Sequence, residues 1–164
     1  MMPTPTCKAR SPSSALDVPP VLTAEQEDFM ARIALQLGLP AADSAGLIAP
    51  RLFTGPAGLA CRLHLQRGDP TAVRPEALLP VAAQELAGAD VQRLLSVQSL
   101  LLGELGWFLG TSPEGLLQLS SLAWIDDPAD AATALDLANG VGLAVLQTLM
   151  LDDPAPGQPQ RVYS

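Results

Sequence analysis

The apolar positions of this chain change period along its length, and the changes mark the elements. Between Thr23 and Gly38, the residues Phe29, Met30, Ile33 and Leu37 recur at helical spacing. Thr23 and Gln26 have the spacing of a capping box, and Glu25, Glu27 and Asp28 place negative charge at the positive end of the macrodipole. Gly38 and Pro40 stop this first helix. In the run GLACRLHLQ the period falls to two. Leu59, Cys61, Leu63 and Leu65 point one way, and Ala60, Arg62, His64 and Gln66 the other, which predicts a strand. The preceding LIAPRLF reads as its hairpin partner through TGPAG, with Pro50 confining it to an edge or a bulge. Residues 77–84, ALLPVAAQ, read as a third strand interrupted at Pro80.

Helical spacing returns from Asp90, read as an N-cap, to Leu105. Val91, Leu94, Leu95, Gln98, Leu101, Leu102 and Leu105 follow the i, i+3, i+4 rule, and Val97 and Leu100 add apolar surface off that stripe. One stripe covers one sheet, so this helix is more apolar than a single contact requires. Gly106 then ends it, and WFLG, TSPEG and LLQLSSLAW read as a β-hairpin. Ser112, Pro113 and Gly115 occupy positions i, i+1 and i+3 of a type I turn. Asp126 or Asp127 caps a last helix with Pro128 in its first turn and a stripe of Leu135, Ala138, Gly142, Val145, Leu146 and Leu149. The expected fold is α+β: helix, three-stranded antiparallel sheet, helix, β-hairpin, helix.

Composition sets the limits of this domain. The chain has 164 residues, and its prolines cluster at the ends, with five of the 16 in residues 1–22 and three in 152–164. Both ends are expected to be mobile tails around one domain at 23–151. The net charge is −8, and Lys8 is the only lysine. Isolated arginines make no phosphate-tracking surface, which argues against nucleic acid, and the acidity also disfavours an anionic membrane surface. The leucine-rich run 94–105 is broken by Ser96, Gln98, Ser99, Gly103 and Glu104, too short and too polar to span a bilayer. Cys7 and Cys61 are not expected to pair, which fits a reducing, cytoplasmic setting.

Candidate chemistry is sparse. His64 is the only histidine. It stands three residues from Cys61, and on a strand that spacing sends the two side chains to opposite faces. The reading is therefore a buried cysteine and a surface histidine. One His and two distant Cys supply no metal site, and the pairs Asp126-Asp127 and Asp152-Asp153 sit at helix boundaries, where capping explains them. The glycines of TGPAG and ANGVG match no phosphate-binding loop. No catalytic residue, metal or cofactor is assigned, and the chain reads as a non-enzyme. What remains is Trp107 beside Phe108, two adjacent strand positions facing opposite sides, following a helix with surplus leucines. A homodimer would supply a second surface for both.

The stretch LLSVQSLLLGELGWFLG, a short turn, GLLQLSSL and the closing amphipathic helix resemble the class I type III secretion chaperones, the Tir chaperone family, over residues 23–150. The acidic, alanine- and leucine-rich character is also similar to the general multi-effector chaperones of plant-pathogen systems. The resemblance implies a homodimer that binds the N-terminal region of secreted effectors in extended, non-globular form. It would deliver them to the export apparatus, with the secretion ATPase a further candidate partner. By position it puts dimerisation on Leu94, Leu95, Leu101, Leu102, Trp107 and Phe108. Effector grooves fall on Phe29, Ile33, Leu37, Leu52, Leu63 and Leu65, with an exposed strand edge free to add effector backbone. The competing reading is a dimeric adaptor or scaffold that binds a folded cytoplasmic partner.

Overall fold

The computed structural model describes residues 21–150. The expected tails, 1–22 and 152–164, lie outside these residues apart from Val21 and Leu22, as does Cys7. Helix α1 (Ala24–Leu37) begins where the capping box requires. Thr23 Oγ1 accepts from the Gln26 N–H at 3.2 Å, Gln26 Oε1 accepts from the Thr23 N–H at 2.9 Å, and Gly38 closes the helix at φ 63. Phe29, Met30 and Ile33 are buried by it, and Leu37 is half-buried.

A second helix follows, α2 (Ala41–Ile48), where LIAPRLF was expected to begin a strand. Leu47 and Ile48 belong to this helix, and only Phe53–Thr54 remain as strand β1. Asp43 ties the two together, its Oδ1 accepting from the Thr54 N–H at 2.9 Å. Pro50 lies in the turn between them, so it interrupts no strand.

Strands β2 (Ala60–Leu65), β3 (Val73–Ala82), β4 (Trp107–Thr111) and β5 (Leu116–Ser121) complete the sheet. Among the described residues there is one five-stranded antiparallel sheet, ordered β1-β2-β3-β5-β4, in place of a three-stranded sheet with a separate hairpin. The hairpin β4–β5 docks through β5 on β3, pairing Glu76 with Ser120 and Leu78 with Gln118. The third strand starts at Val73, four residues before the expected position, and runs straight through Pro75. Pro75 pairs with Leu63 on β2, while the β5 ladder begins one residue later at Glu76, so the missing N–H falls where that ladder ends. Pro80 sits in the bulge between Leu78 and Ala82.

The leucine helix α3 spans Gly88–Leu100 and continues through a π-helical turn, Leu101–Leu105, to Gly106 at φ 65. Asp90 stands inside it as the third helical residue, its Oδ2 accepting from the Ala87 N–H at 3.2 Å. The turn after β4 has the expected form, the Gly115 N–H donating to Ser112 O at 2.9 Å. In α4 (Pro128–Met150) the Asp127 carboxylate caps the N–H groups of Ala129 and Asp130 at 2.8 and 3.0 Å.

Helix α4 lies on one face of the sheet, and α1 packs against α4. Met30, Ile33, Leu63, Val73, Ala77, Leu119, Leu135 and Ala138 meet there as the core. By length and composition alone α4 would suit a bilayer, with 23 residues and an 18-residue stretch of mean hydropathy 1.2. Its stripe of Leu135, Ala138, Gly142 and Val145 is spent on this core.

Asn139, fully buried in α4, fixes how the helix sits. Its Nδ2 donates to Leu135 O and to Cys61 Sγ, and its Oδ1 accepts from the Leu59 N–H at 3.3 Å. A side chain at Gly55 would collide with this amide, whereas Gly140 on the same helix faces open space. Gly55→Ala is therefore expected to cost roughly 1–3 kcal/mol by overpacking. Gly140→Ala should add about 1 kcal/mol by helix propensity. Urea denaturation of the two variants reads both signs, and equal effects would remove the keying role of Asn139.

Candidate protein-binding site

Helix α3 is long enough to bury two stripes, but it meets the rest of the chain along one. Leu94 and Leu101 turn into the core at 8% and 3% exposure. Val91, Leu95, Leu100, Leu102 and Leu105 stay in solvent, between 41% and 62% exposed. Two grooves run along the helix. One, of about 270 Å³, lies between α3 and β4 and is lined by Leu86, Val91, Leu95, Gln98 and Leu109. The other, of about 380 Å³, lies between α3 and α4 and is lined by Val97, Leu100, Leu105, Val141 and Val145, with Glu104 at its side. Gln98 clamps the first groove, its Oε1 accepting from the Leu109 N–H at 2.5 Å, while its Nε2 is buried without a partner.

Of the residues expected at a dimer seam, Leu94, Leu101 and Trp107 are buried within their own chain, and Leu95 and Leu102 are exposed. Phe108 is half-buried on the opposite sheet face from Trp107, paired with Ser120. Of those expected in effector grooves, Phe29, Ile33 and Leu63 fill the core at 5%, 0% and 2% exposure. Leu37 and Leu65 are half-buried and Leu52 is exposed, so these three reach the surface. The two edge strands are partly closed to an incoming strand. A side chain takes an N–H on each, Asp43 at Thr54 and Gln98 at Leu109. That leaves less free backbone than the expected open edge.

The sheet face away from α1 and α4 carries a charged cluster the sequence reading passed over. Glu76 on β3 is 2% exposed and accepts from Arg62 at 2.5 Å, from His64 Nε2 at 2.7 Å and from Ser120 Oγ at 3.5 Å. Arg62 also reaches Glu114 in the β4–β5 turn at 3.2 Å. The polar side of the β2 alternation, Arg62 and His64, was the available signal. Starting β3 at residue 77 left Glu76 outside it. Burial alone would raise the Glu76 pKa, but the hydrogen bonds and charges of His64 and Arg62 outweigh it and hold the carboxyl below its ordinary range. On the covered face, burial pushes the Cys61 thiol up to about 11 against the opposing hydrogen bond from Asn139. It is protonated at neutral pH and a poor nucleophile. Among the described residues, no group of three or more His, Cys, Asp or Glu comes together to hold a metal ion.

These features define an α+β protein with a single-sided core and an apolar helix face open to solvent. No family model matches the sequence, and no curated protein matches it. Among solved structures, a chain in the crystal structure of the ExsC–ExsE complex superposes with a TM-score of 0.47 at 20% identity. The match covers 79% of this chain and 96% of that one.

Because the Glu76 pKa is lowered on folding, its contribution is complete above the unfolded value of about 4.3 and is lost as pH falls through the lower folded value. Glu76→Gln should cost roughly 1.5–3 kcal/mol at pH 7. The gap from the parent should narrow steadily below pH 4.3. Denaturant titrations at several pH values check this, and a pH-independent gap would show that the carboxylate charge contributes nothing.

Proposed function

We propose that this chain is a homodimeric type III secretion chaperone, a non-enzyme that holds the N-terminal region of effector proteins in extended form in the cytoplasm and hands them to the export apparatus. The row of exposed apolar side chains on α3 carries this reading. Val91, Leu95, Leu102 and their neighbours form a surface that a lone soluble chain leaves unsatisfied. A second copy meeting it about a two-fold axis would bury it on both sides at once. The resemblance over residues 23–150 supports the same assignment. Leu37, Leu52 and Leu65, which reach the surface, are the candidate anchor points for the apolar side chains of an extended segment. With both sheet edges partly closed, capture rests more on side-chain pockets than on strand addition.

Leu95→Asp and Leu102→Asp change exposed positions, so the fold should persist. A charge buried without a partner costs several kcal/mol, which corresponds to at least a hundredfold weaker dimer. Light scattering across a dilution series checks this, and a wild-type dissociation curve for both variants would remove α3 from the seam. For the client, the bound partner recovered from the native bacterium is examined by hydrogen exchange. A secreted protein whose N-terminal region is unprotected in the complex supports the chaperone, and a partner that keeps its own fold supports the adaptor.

A further inference from the structure

Helix α3 carries apolar side chains on two flanks, and a two-fold contact through one leaves the other open. Gln92, Ser96 and Ser99, all exposed, form a polar ridge along it at helical spacing. Val91 and Leu95 lie on the β4 side of this ridge. Val97, Leu100 and Leu105 lie on the α4 side, where they line the groove of about 380 Å³ with Val141 and Val145.

The walls of this groove are two helices, and that restricts what can fill it. Their backbone groups are bonded within each helix, and the Thr148 hydroxyl donates to Ala144 O at 2.9 Å. An extended segment would find no backbone partner there and would bury its own peptide groups unpaired, whereas a helix satisfies its own. The walls, residues 97–105 and 141–148, each run for about 11–12 Å, roughly two turns of a packed helix.

Charge then selects among helices. Glu104 borders the groove and has no ion pair among the described residues. Both walls also end beside it, at Leu105 and at Met150, and neither has a basic residue in its last turn. A carboxylate and the negative ends of two macrodipoles therefore border the groove with no cation to offset them. The helices of a second copy would not supply one, since none of α1 to α4 carries a net positive charge. We propose that the α3–α4 groove binds an amphipathic helix of another protein, its apolar stripe flanked by Lys or Arg. This inference does not rest on the chaperone reading.

Two synthetic peptides of about 15 residues test it against the full chain. Both carry a leucine stripe at helical spacing, one with lysine at the other positions and one with glutamate. Fluorescence anisotropy of the labelled peptide reads affinity, and hydrogen exchange reads the place. The lysine peptide is expected to bind at least about tenfold more tightly than the glutamate peptide. It should slow exchange in residues 97–105 and 141–148, with no change in α1. Leu100→Asp, at a position 62% exposed, keeps the fold and should weaken binding about tenfold although it adds negative charge. Glu104→Gln should weaken it about threefold. Binding unchanged or tightened by Leu100→Asp marks attraction to the acidic surface at large and overturns the proposal. Equal affinity for the two peptides, or protection outside the groove, overturns it as well. So does groove protection in the peptide-free chain that disappears on dilution, because a second copy would then be the occupant.

Discussion

One buried amide sets the geometry on which the other contacts depend. Asn139 sits fully enclosed in the middle of α4, with its donor and acceptor atoms engaged by Leu135, Cys61 and Leu59. A polar group in that position is costly unless every bond is made, so it selects one rotation and one height of the helix over the sheet. Gly55 lets the β1–β2 turn come close enough for this, and Gly142 makes room for Leu59 one turn along. Once α4 is keyed, Leu135, Ala138 and Val145 fall on β3, and α1 can close over them. An apolar side chain at 139 would tolerate many neighbouring arrangements. The amide tolerates one.

Periodicity in the sequence revealed those parts whose geometry is decided locally. The capping box at Thr23, the alternation through Cys61 and Leu63, the Ser112–Gly115 turn and the Asp127 cap all depend on residues a few positions apart. Each appears where expected. The departures came where a tertiary contact outvotes local pattern. Residues 41–48 form a helix because Asp43 and Gly46 can then pack on Phe53 and Thr54, a contact invisible to periodicity. The five-stranded sheet required knowing that β5 would pair with β3. Among the candidate site residues, Leu95, Leu102 and Leu52 stand at the surface, while Phe29, Ile33 and Leu63 are enclosed. An apolar stripe shows which residues seek cover and leaves open which element supplies it.

The two faces of the sheet handle the cost of exposure differently. On the face away from α1 and α4, β2, β3 and β5 present Arg62, His64 and Ser120, which all bond laterally to Glu76. Arg74 there lies over the Trp124 ring at 5.0 Å, covering part of an aromatic with its own chain. Such a face can remain in water without a partner. Helix α3 has no equivalent device. The ion pair of Asp90 with Arg93 lies near its start, and Val91, Leu95, Leu100 and Leu102 beyond or beside it remain exposed. The contrast leaves α3 as the element whose apolar side chains stand in solvent.

The π-helical turn at Leu101–Leu105 adds to that exposed surface. Continued as an ordinary α-helix, Leu94, Gln98, Leu101 and Leu105 would share one stripe, and Leu105 would follow Leu101 toward the core. The wider turn takes up an extra residue, so that by its end the chain lags the α-helical phase by about 100°. Leu105 is therefore 41% exposed, while Leu102, next to Leu101 and off the stripe in either geometry, is 44% exposed. The same rotation delivers Gly106 in its left-handed conformation and points Trp107 inward as the first residue of β4. A single irregular turn thus leads into a hairpin anchored by a buried indole and turns Leu105 into solvent. In a chain with three Phe, two Trp and one Tyr, the aromatic at the helix–strand junction serves the fold, and the leucines before it are the residues free to meet another protein.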